Sequence, residues 1–311
     1  MARGEATGRM SGGVVVLAGG TGAAKLARGM LDVVGSELTV IANTGDDVEI
    51  YGAYVSPDPD LCTFWLVDRI DERGWGLHDD TFAVMAGLRE LGVDVWLHLG
   101  DRDLAIGIER ARRLEEGARL TDALAELGTA LGSQARVLPM CDEPVRTWVK
   151  AWGEWTPFQE FMIRARGEGP VEDLQLRGID AATAPPEALA AIGAARAIVI
   201  GPSNPVISIG PIVAVPGMRD ALKDSTAPVV AVSPIVGGGV LKGPTEPFMR
   251  WAGLSLDADG IAACYEGLLD GIVADEPCEA LPVLRIDTLM SDAQGRRRLA
   301  AETLRFAEAL A

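Results

Sequence analysis

The sequence predicts an α/β fold: a doubly wound, mostly parallel sheet with a small antiparallel or irregular insertion and C-terminal helices. Three observations predict it. Short apolar runs ending in glycine-containing polar loops alternate with segments of helical periodicity, as parallel strands and their crossover helices do. The stretch from about Arg146 to Arg177 breaks that rhythm, because Trp148, Trp152, Trp155, Phe158 and Phe161 are interleaved with polar residues in the manner of short antiparallel strands. No self-similarity at a period of ~20 to 50 residues indicates a solenoid or propeller. Residues 14–311 therefore read as one Rossmann-like domain with an insertion at about 146–177, and residues 1–13, polar and glycine-rich, as a disordered tail in which Met10 is a second candidate start.

Taken in order, Val14 to Ala18 is a buried strand that ends in Gly19-Gly20-Thr21-Gly22. Ala23, Leu26, Ala27, Met30 and Leu31 follow at the spacing of one helix face. Leu38 to Ala42 is a second strand, ending in Asn43-Thr44-Gly45-Asp46-Asp47, and Asp94 to Leu99 a third, ending in Gly100-Asp101-Arg102-Asp103. Asp80 and Thr121 are placed as N-caps of the helices that follow them. Beyond the insertion come a helix after Pro186, a strand from Ala197 to Ile200, a strand from Val229 to Val232, and helices at Ile261 to Leu269 and Asp292 to Leu310.

Composition narrows the chemistry. With 28 Lys plus Arg against 45 Asp plus Glu the net charge is −17, which repels nucleic-acid phosphates and anionic membrane surfaces, so neither is an expected partner. Any phosphate must be held by local devices. No apolar run reaches the ~18 to 20 residues of a membrane span, and no secretory leader is apparent, so the expected location is the cytoplasm, with Cys62, Cys141, Cys264 and Cys278 reduced. Only His78 and His98 are available for a histidine-built zinc site or a Ser/His/Asp triad, so a bound metal is expected to be a hard cation on carboxylates.

Several loops carry candidate chemistry, each with a plainer reading beside it. Gly19, Gly20, Thr21, Gly22 and Lys25 stand where a first strand-to-helix turn offers N–H groups and the helix dipole to a phosphate, or where glycines merely make the turn tight. Lys25 occupies the place of the third glycine of a dinucleotide fingerprint, and Ala24-Lys25-Leu26 that of a P-loop Gly-Lys-Ser/Thr, so neither standard motif is met. Asp46 and Asp47, with Asp58 and Asp60 in Ser56-Pro57-Asp58-Pro59-Asp60, are either solvated turn aspartates or carboxylates able to hold Mg²⁺ beside a diphosphate. Arg102 between Asp101 and Asp103 offers a guanidinium fork for an anionic or planar ligand, or a helix-capping ion pair. Gly201-Pro202-Ser203-Asn204-Pro205 is a rigid loop that either recognises a base or phosphate or simply turns the chain.

Together these loops resemble the 2-phospho-lactate transferase family of deazaflavin coenzyme (factor 420) biosynthesis, whose bacterial members are phosphoenolpyruvate transferases. The resemblance runs from about Val14 to Met290 and rests on the loops above together with Leu138-Pro139-Met140-Cys141-Asp142-Glu143-Pro144, Phe158-Gln159-Glu160, Ser233-Pro234-Ile235 and Asp287-Thr288-Leu289-Met290, all in the family's order. It implies transfer of a three-carbon acid phosphate from its guanosine-diphosphate-activated form to the ribityl hydroxyl of the deazaflavin Fo, releasing GMP, with Mg²⁺ required and a homodimer as the assembly. Carried over by position, it implies Asp46 as metal ligand, Asp60 and Arg102 as Fo contacts, and Gly19 to Gly22, Lys25, Gly201, Ser203 and Asn204 as nucleotide contacts. Asp46 and Asp60 are the implied catalytic residues, Asp60 as a candidate for orienting or deprotonating the attacking hydroxyl.

Two other readings stay open at this point. A nucleotide-sugar-binding regulator of the gluconeogenesis-factor type shares the glycine turn and an Asp-Asp stretch, but has no need of the Gly-Asp-Arg-Asp and Gly-Pro-Ser-Asn-Pro loops. An NAD-dependent oxidoreductase would place a ribose-binding acid where Asp46 stands, against a broken glycine fingerprint.

Overall fold

A computed structural model describes residues 12–241 and 243–311. The chain begins with β1 (Gly13–Ala18), α1 (Gly20–Val34), β2 (Leu38–Ala42) and the hairpin β3 (Val48–Ile50) and β4 (Ala53–Val55), followed by α2 (Pro57–Leu66), α3 (Ala83–Glu90), α4 (Asp101–Glu115) and α5 (Leu120–Leu131). Next come β5 (Arg136–Pro139), β6 (Arg146–Ala151), β7 (Glu154–Pro157), α6 (Phe158–Arg164) and β8 (Asp173–Arg177). The remainder is α7 (Pro186–Gly193), β9 (Ala195–Ile200), α8 (Gly210–Ala214), α9 (Met218–Asp224), β10 (Val229–Val232), β11 (Ile235–Val236), β12 (Gly239–Val240), α10 (Thr245–Trp251), α11 (Ala258–Cys264), β13 (Gly271–Ala274), β14 (Val283–Arg285) and α12 (Ala293–Leu310).

Seven strands form one sheet in the order β14-β13-β10-β9-β1-β2-β5, and every pairing in it is parallel. A parallel sheet needs both faces covered, and the side-chain period of two divides β1 accordingly. Val14, Val16 and Ala18 enter the core beneath α1, α2 and α12, while Val15 and Leu17 enter the core on the opposite face, with Ile192, Leu222 and Ile261 from α7, α9 and α11. From β1 the chain winds outward through β2 to β5 and then returns to β9 on the other side of β1. That reversal opens a crevice beyond the carboxyl ends of β1 and β9, the place where such sheets bind ligands.

The antiparallel insertion lies where the alternating aromatics place it: β6 pairs with β7 and with β8, and the outermost pair is Arg146 with Arg177. Gly13, expected in the tail, opens β1, and Met10 lies outside the described residues. The expected strand from Asp94 to Leu99 is absent. This segment joins no sheet, and Leu97 and Leu99 satisfy their burial in a satellite core with Ala53, Val55, Met85 and Leu104 instead of a ladder. The edge beside β2 is taken by β5.

The predicted caps differ too. Asp80 does not cap α3; its Oδ1 accepts the Arg102 amide at 2.9 Å and its Oδ2 the Asp103 amide at 3.2 Å, so it caps α4. Asp101 returns the favour to α3, accepting the amides of Ala83 at 3.0 Å and Val84 at 2.9 Å. The two helix starts thus exchange aspartates, satisfying N–H groups that have no partner within their own helix. Thr121 lies one residue inside α5, and its amide is capped by Asp142 Oδ1 at 2.7 Å. Helix α11 starts earlier and ends earlier than expected, behind Asp257, whereas α12 starts behind Asp292 as the sequence predicts. Among the described residues, no helix is long and apolar enough to cross a membrane.

Candidate functional site

A cavity of about 990 Å³ occupies the crevice. Its lining includes the turn after β1, Asp46 in the loop after β2, Pro202 to Asn204 after β9 and Ser233 after β10. Four separate strand ends therefore converge on one space.

The glycine turn is built for close approach. Gly20 has φ +71°, a left-handed conformation that suits glycine, and a Cβ there would meet nothing within 4 Å. Helix α1 begins at this residue with no acidic side chain of its own in its first turn; the negative charge at its start comes from Asp58 on α2. Gly22 faces the loop after β9, and a Cβ would stand 2.1 Å from the carbonyl oxygen of Pro202. Backbone cannot yield as a side chain can, so Gly22→Ala is expected to destabilise the fold by ~2 to 3 kcal/mol, visible as a lowered thermal midpoint.

Carboxylates stand against this turn. Asp58 Oδ1 accepts the Gly20 amide at 2.6 Å, and its Oδ2 accepts Asn43 Nδ2 at 3.0 Å. Asn43 also accepts the Gly45 amide on its Oδ1 at 2.8 Å, so one side chain both clips the loop after β2 and aims Asp58. Burial raises the Asp58 carboxyl to about 6, with the Gly20 amide and Asn43 pulling it back. Asp46 is held well above the usual carboxylate range, first by burial and then by the charge of Asp58, and its Oδ1 is buried with no hydrogen-bond partner. Asp47 is raised to about 7 by burial against the pull of Arg146; Ser56 donates to its Oδ1 at 2.8 Å.

Two mutually repelling buried carboxylates, one with an orphaned oxygen, are what a hard divalent cation would relieve. Among the described residues no three His, Cys, Asp or Glu side chains are grouped to hold a metal by themselves. Mg²⁺ commonly takes one or two protein carboxylates and completes its shell with water and substrate phosphate. Asp46 and Asp58 are the residues that would hold it.

Asp60, also in the lining, is fully engaged. Arg110 Nη2 donates to its Oδ1, and Arg110 Nη1 donates to its Oδ2 at 3.1 Å and to the Tyr54 carbonyl at 2.8 Å. Burial pushes the Asp60 carboxyl up while Arg110 pulls it down. Arg110 is completely buried, on the stripe of α4 that also carries Leu104 and Gly107. At Gly107 a Cβ would approach Tyr54 O to 3.2 Å, so the glycine lets α4 lie close enough on β4 for Arg110 to reach across.

The remaining expected residues divide. Thr21, Lys25, Ser203 and Asn204 line the cavity. Ser203 Oγ donates to the Gly19 carbonyl, tying the loops after β1 and β9 together. Asn204 spends its Oδ1 on the amides of Val206 at 2.9 Å and Ile207 at 3.2 Å, while its buried Nδ2 has no partner. Lys25 Nζ lies 5.6 Å from the centre of the Trp65 ring. Gly201 is a packing residue outside the lining, where a Cβ would stand 2.4 Å from Ala23 Cβ. Arg102 is exposed and its side chain is not part of the wall, whereas Gly100 and Asp103 on either side of it are.

Sequence reasoning named Asp58 only as one of a group of acidic candidates, gave it no role of its own, and missed Arg110. Asp58 stands in a stretch already marked as acidic; which of its two aspartates meets the glycine turn is decided by the phase of α2. Arg110 betrays itself only as a charge on an otherwise buried helical stripe.

Comparison with known proteins agrees with this architecture. A family model described as 2-phospho-L-lactate transferase CofD matches residues 14–288. A 2-phospho-L-lactate transferase from Methanosarcina mazei is 39% identical over 298 residues, covering 92% of this chain and 98% of that protein. A phosphoenolpyruvate transferase from Kitasatospora aureofaciens is 37% identical over 318 residues, covering 95% and 98%. Among solved structures, a member of the UPF0052 family from Bacillus halodurans superposes with a TM-score of 0.63 at 17% identity, covering 95% of this chain and 99% of that one, a likeness of fold. With its sheet, its crevice loops and nearly its whole length matched, the chain belongs to the 2-phospho-L-lactate transferase CofD family.

Proposed function

We propose that the protein transfers a phosphoenolpyruvyl or 2-phospho-L-lactyl group from its guanosine-diphosphate-activated form to the ribityl hydroxyl of Fo, giving (dehydro) coenzyme factor 420-0 and GMP. The observation that carries the reading is the cavity itself. A helix start with glycine amides faces two buried carboxylates, one with an unpartnered oxygen, in a member of a transferase family. Phosphoryl transfer asks a protein chiefly to position the reactants and to stabilise charge.

When bound, Mg²⁺ supplies positive charge against the diphosphate oxygens. The Gly20 amide is held by Asp58, so the amides of Thr21 and Gly22 at the start of α1 would serve the same anion, and Asn43 keeps Asp58 oriented toward that end of the cavity. The spare Nδ2 of Asn204 and the Lys25 ammonium offer further donors to the nucleotide. Hydrophobic residues such as Leu97, Met162 and Ile163 line other parts of the wall, suiting a flat ring system and excluding water. The expected assembly is a homodimer in the cytoplasm, for which sedimentation gives the mass.

The test combines purified protein, Fo and Mg²⁺ with each guanosine-activated acid in turn: phosphoenolpyruvyl, phospholactyl and phosphoglyceryl. GMP release dependent on Fo and abolished by chelation is the expected result, and the product's mass identifies the acid. Tight nucleotide-sugar binding without Fo affinity would instead favour the regulator of the gluconeogenesis-factor type.

A further inference from the structure

Asp60 is poorly placed to take a proton, because both of its oxygens are occupied by the Arg110 guanidinium. A second carboxylate lines the same cavity close to it. Asp103 sits in the first turn of α4, and that turn is fixed where the Arg102 and Asp103 amides donate to Asp80. No hydrogen bond to the Asp103 carboxylate oxygens is made by any described residue; besides burial, the charges that reach it are Asp60 on α2, Arg110 on α4 and Asp80 in the loop before α3. It is a carboxylate with free oxygens, held on a rigid helix start and facing the space where an acceptor alcohol would lie.

We infer that Asp103 is the group that accepts the proton of the acceptor hydroxyl, while Asp60 holds Arg110 and the start of α2 in place. The inference rests on the transfer reading above. In the step, the hydroxyl oxygen forms a bond to the phosphorus of the activated acid. The phosphorus–oxygen bond to GMP breaks with its electron pair leaving on GMP, and the hydroxyl proton passes to a carboxylate oxygen of Asp103. Burial, followed by the negative charge of Asp60, raises the Asp103 carboxyl to about 7. A base serves best when its pKa lies near the working pH.

The experiment follows the pH dependence of GMP release in the wild type, Asp103→Asn, Asp103→Glu and Asp60→Asn, with Fo affinity measured separately from the deazaflavin absorbance. Wild-type kcat is expected to rise with pH through about 7 as Asp103 loses its proton. Asp103→Asn is expected to lose ~10²- to 10³-fold in kcat and that pH limb together, with Fo affinity within ~3-fold of wild type. Asp103→Glu should restore part of the rate and a limb. Asp60→Asn should keep the limb while losing stability or Fo affinity. The inference is overturned if Asp103→Asn keeps both rate and limb, or if the limb vanishes with Asp60→Asn instead. A wild type that releases no GMP from any of the three donors overturns the transfer reading itself, a distinct result.

Discussion

Arg110→Met is expected to destabilise the protein by ~3 to 5 kcal/mol, in the range of the largest single-substitution losses. The guanidinium is completely buried and makes three donations, two to Asp60 and one to the Tyr54 carbonyl. Methionine fills similar space but leaves the Asp60 carboxylate buried without a counter-charge and the carbonyl without a donor. Removing both charges is a different matter: the double variant Arg110→Met with Asp60→Leu should recover much of the loss, because an apolar pair of similar volume avoids the desolvation of two ions. Urea denaturation of the four proteins of this cycle measures the coupling. A single-variant loss below ~1 kcal/mol would mean that the pair behaves like a solvent-screened surface bridge, and the account of α4 given above would fall.

Asp46→Asn is expected to reduce GMP release by ~10³-fold, since the charge stabilisation that a catalytic metal provides is worth several kcal/mol and each ~1.4 kcal/mol is tenfold in rate. The same substitution should stabilise the metal-free protein at neutral pH. Asp46, Asp47 and Asp58 all have carboxyls raised by burial in the folded state. Groups raised in this way favour the fold while protonated. Their contribution is fully present below the unfolded value of ~3.9 and is lost as pH climbs through the folded values, which are about 6 for Asp58 and about 7 for Asp47. Metal-free wild type should therefore melt higher at pH 5 than at pH 8, and Asp46→Asn should flatten part of that slope. Adding Mg²⁺ at pH 8 should raise the wild-type midpoint and leave that of Asp46→Asn nearly unmoved. Equal Mg²⁺ responses in the two proteins would remove Asp46 from the metal site.

The elements legible in the sequence share a physical trait. β1, β2, β9 and β10 are short apolar runs in a sheet covered on both faces, and each is followed by a polar loop, so burial and punctuation agree. The segment Asp94 to Leu99 has the same local look, yet its side chains find burial in a satellite core with no strand edge beside them. Local rules also gave Asp80 to the helix that follows it, whereas it caps α4 and Asp101 caps α3. The glycine turn, Asp46 and the Ser203-Asn204 pair converge because strand ends of a doubly wound sheet must converge at its reversal point. The partnership of Asp60 with Arg110 spans 50 residues of sequence, and only the approach of α4 to β4 reveals it.

The crossed aspartates between α3 and α4 also bear on how this molecule can change. Leu97, His98 and Leu99 hang between two anchored helix starts, so no ladder register ties one side chain to the next. In a sheet strand, a shift of one residue would turn every side chain to the other face; here a substitution at the exposed, cavity-lining His98 alters one patch of wall and its stack on Phe82 at the start of α3, while the crossed aspartate bonds do not involve it. Gly100 is the fixed point, since a Cβ there would fall 2.0 Å from Asp80 Oδ2. On the transfer reading proposed above, this short span can change the wall on one side of the cavity while the glycine turn and its aspartates on the other keep their bonds.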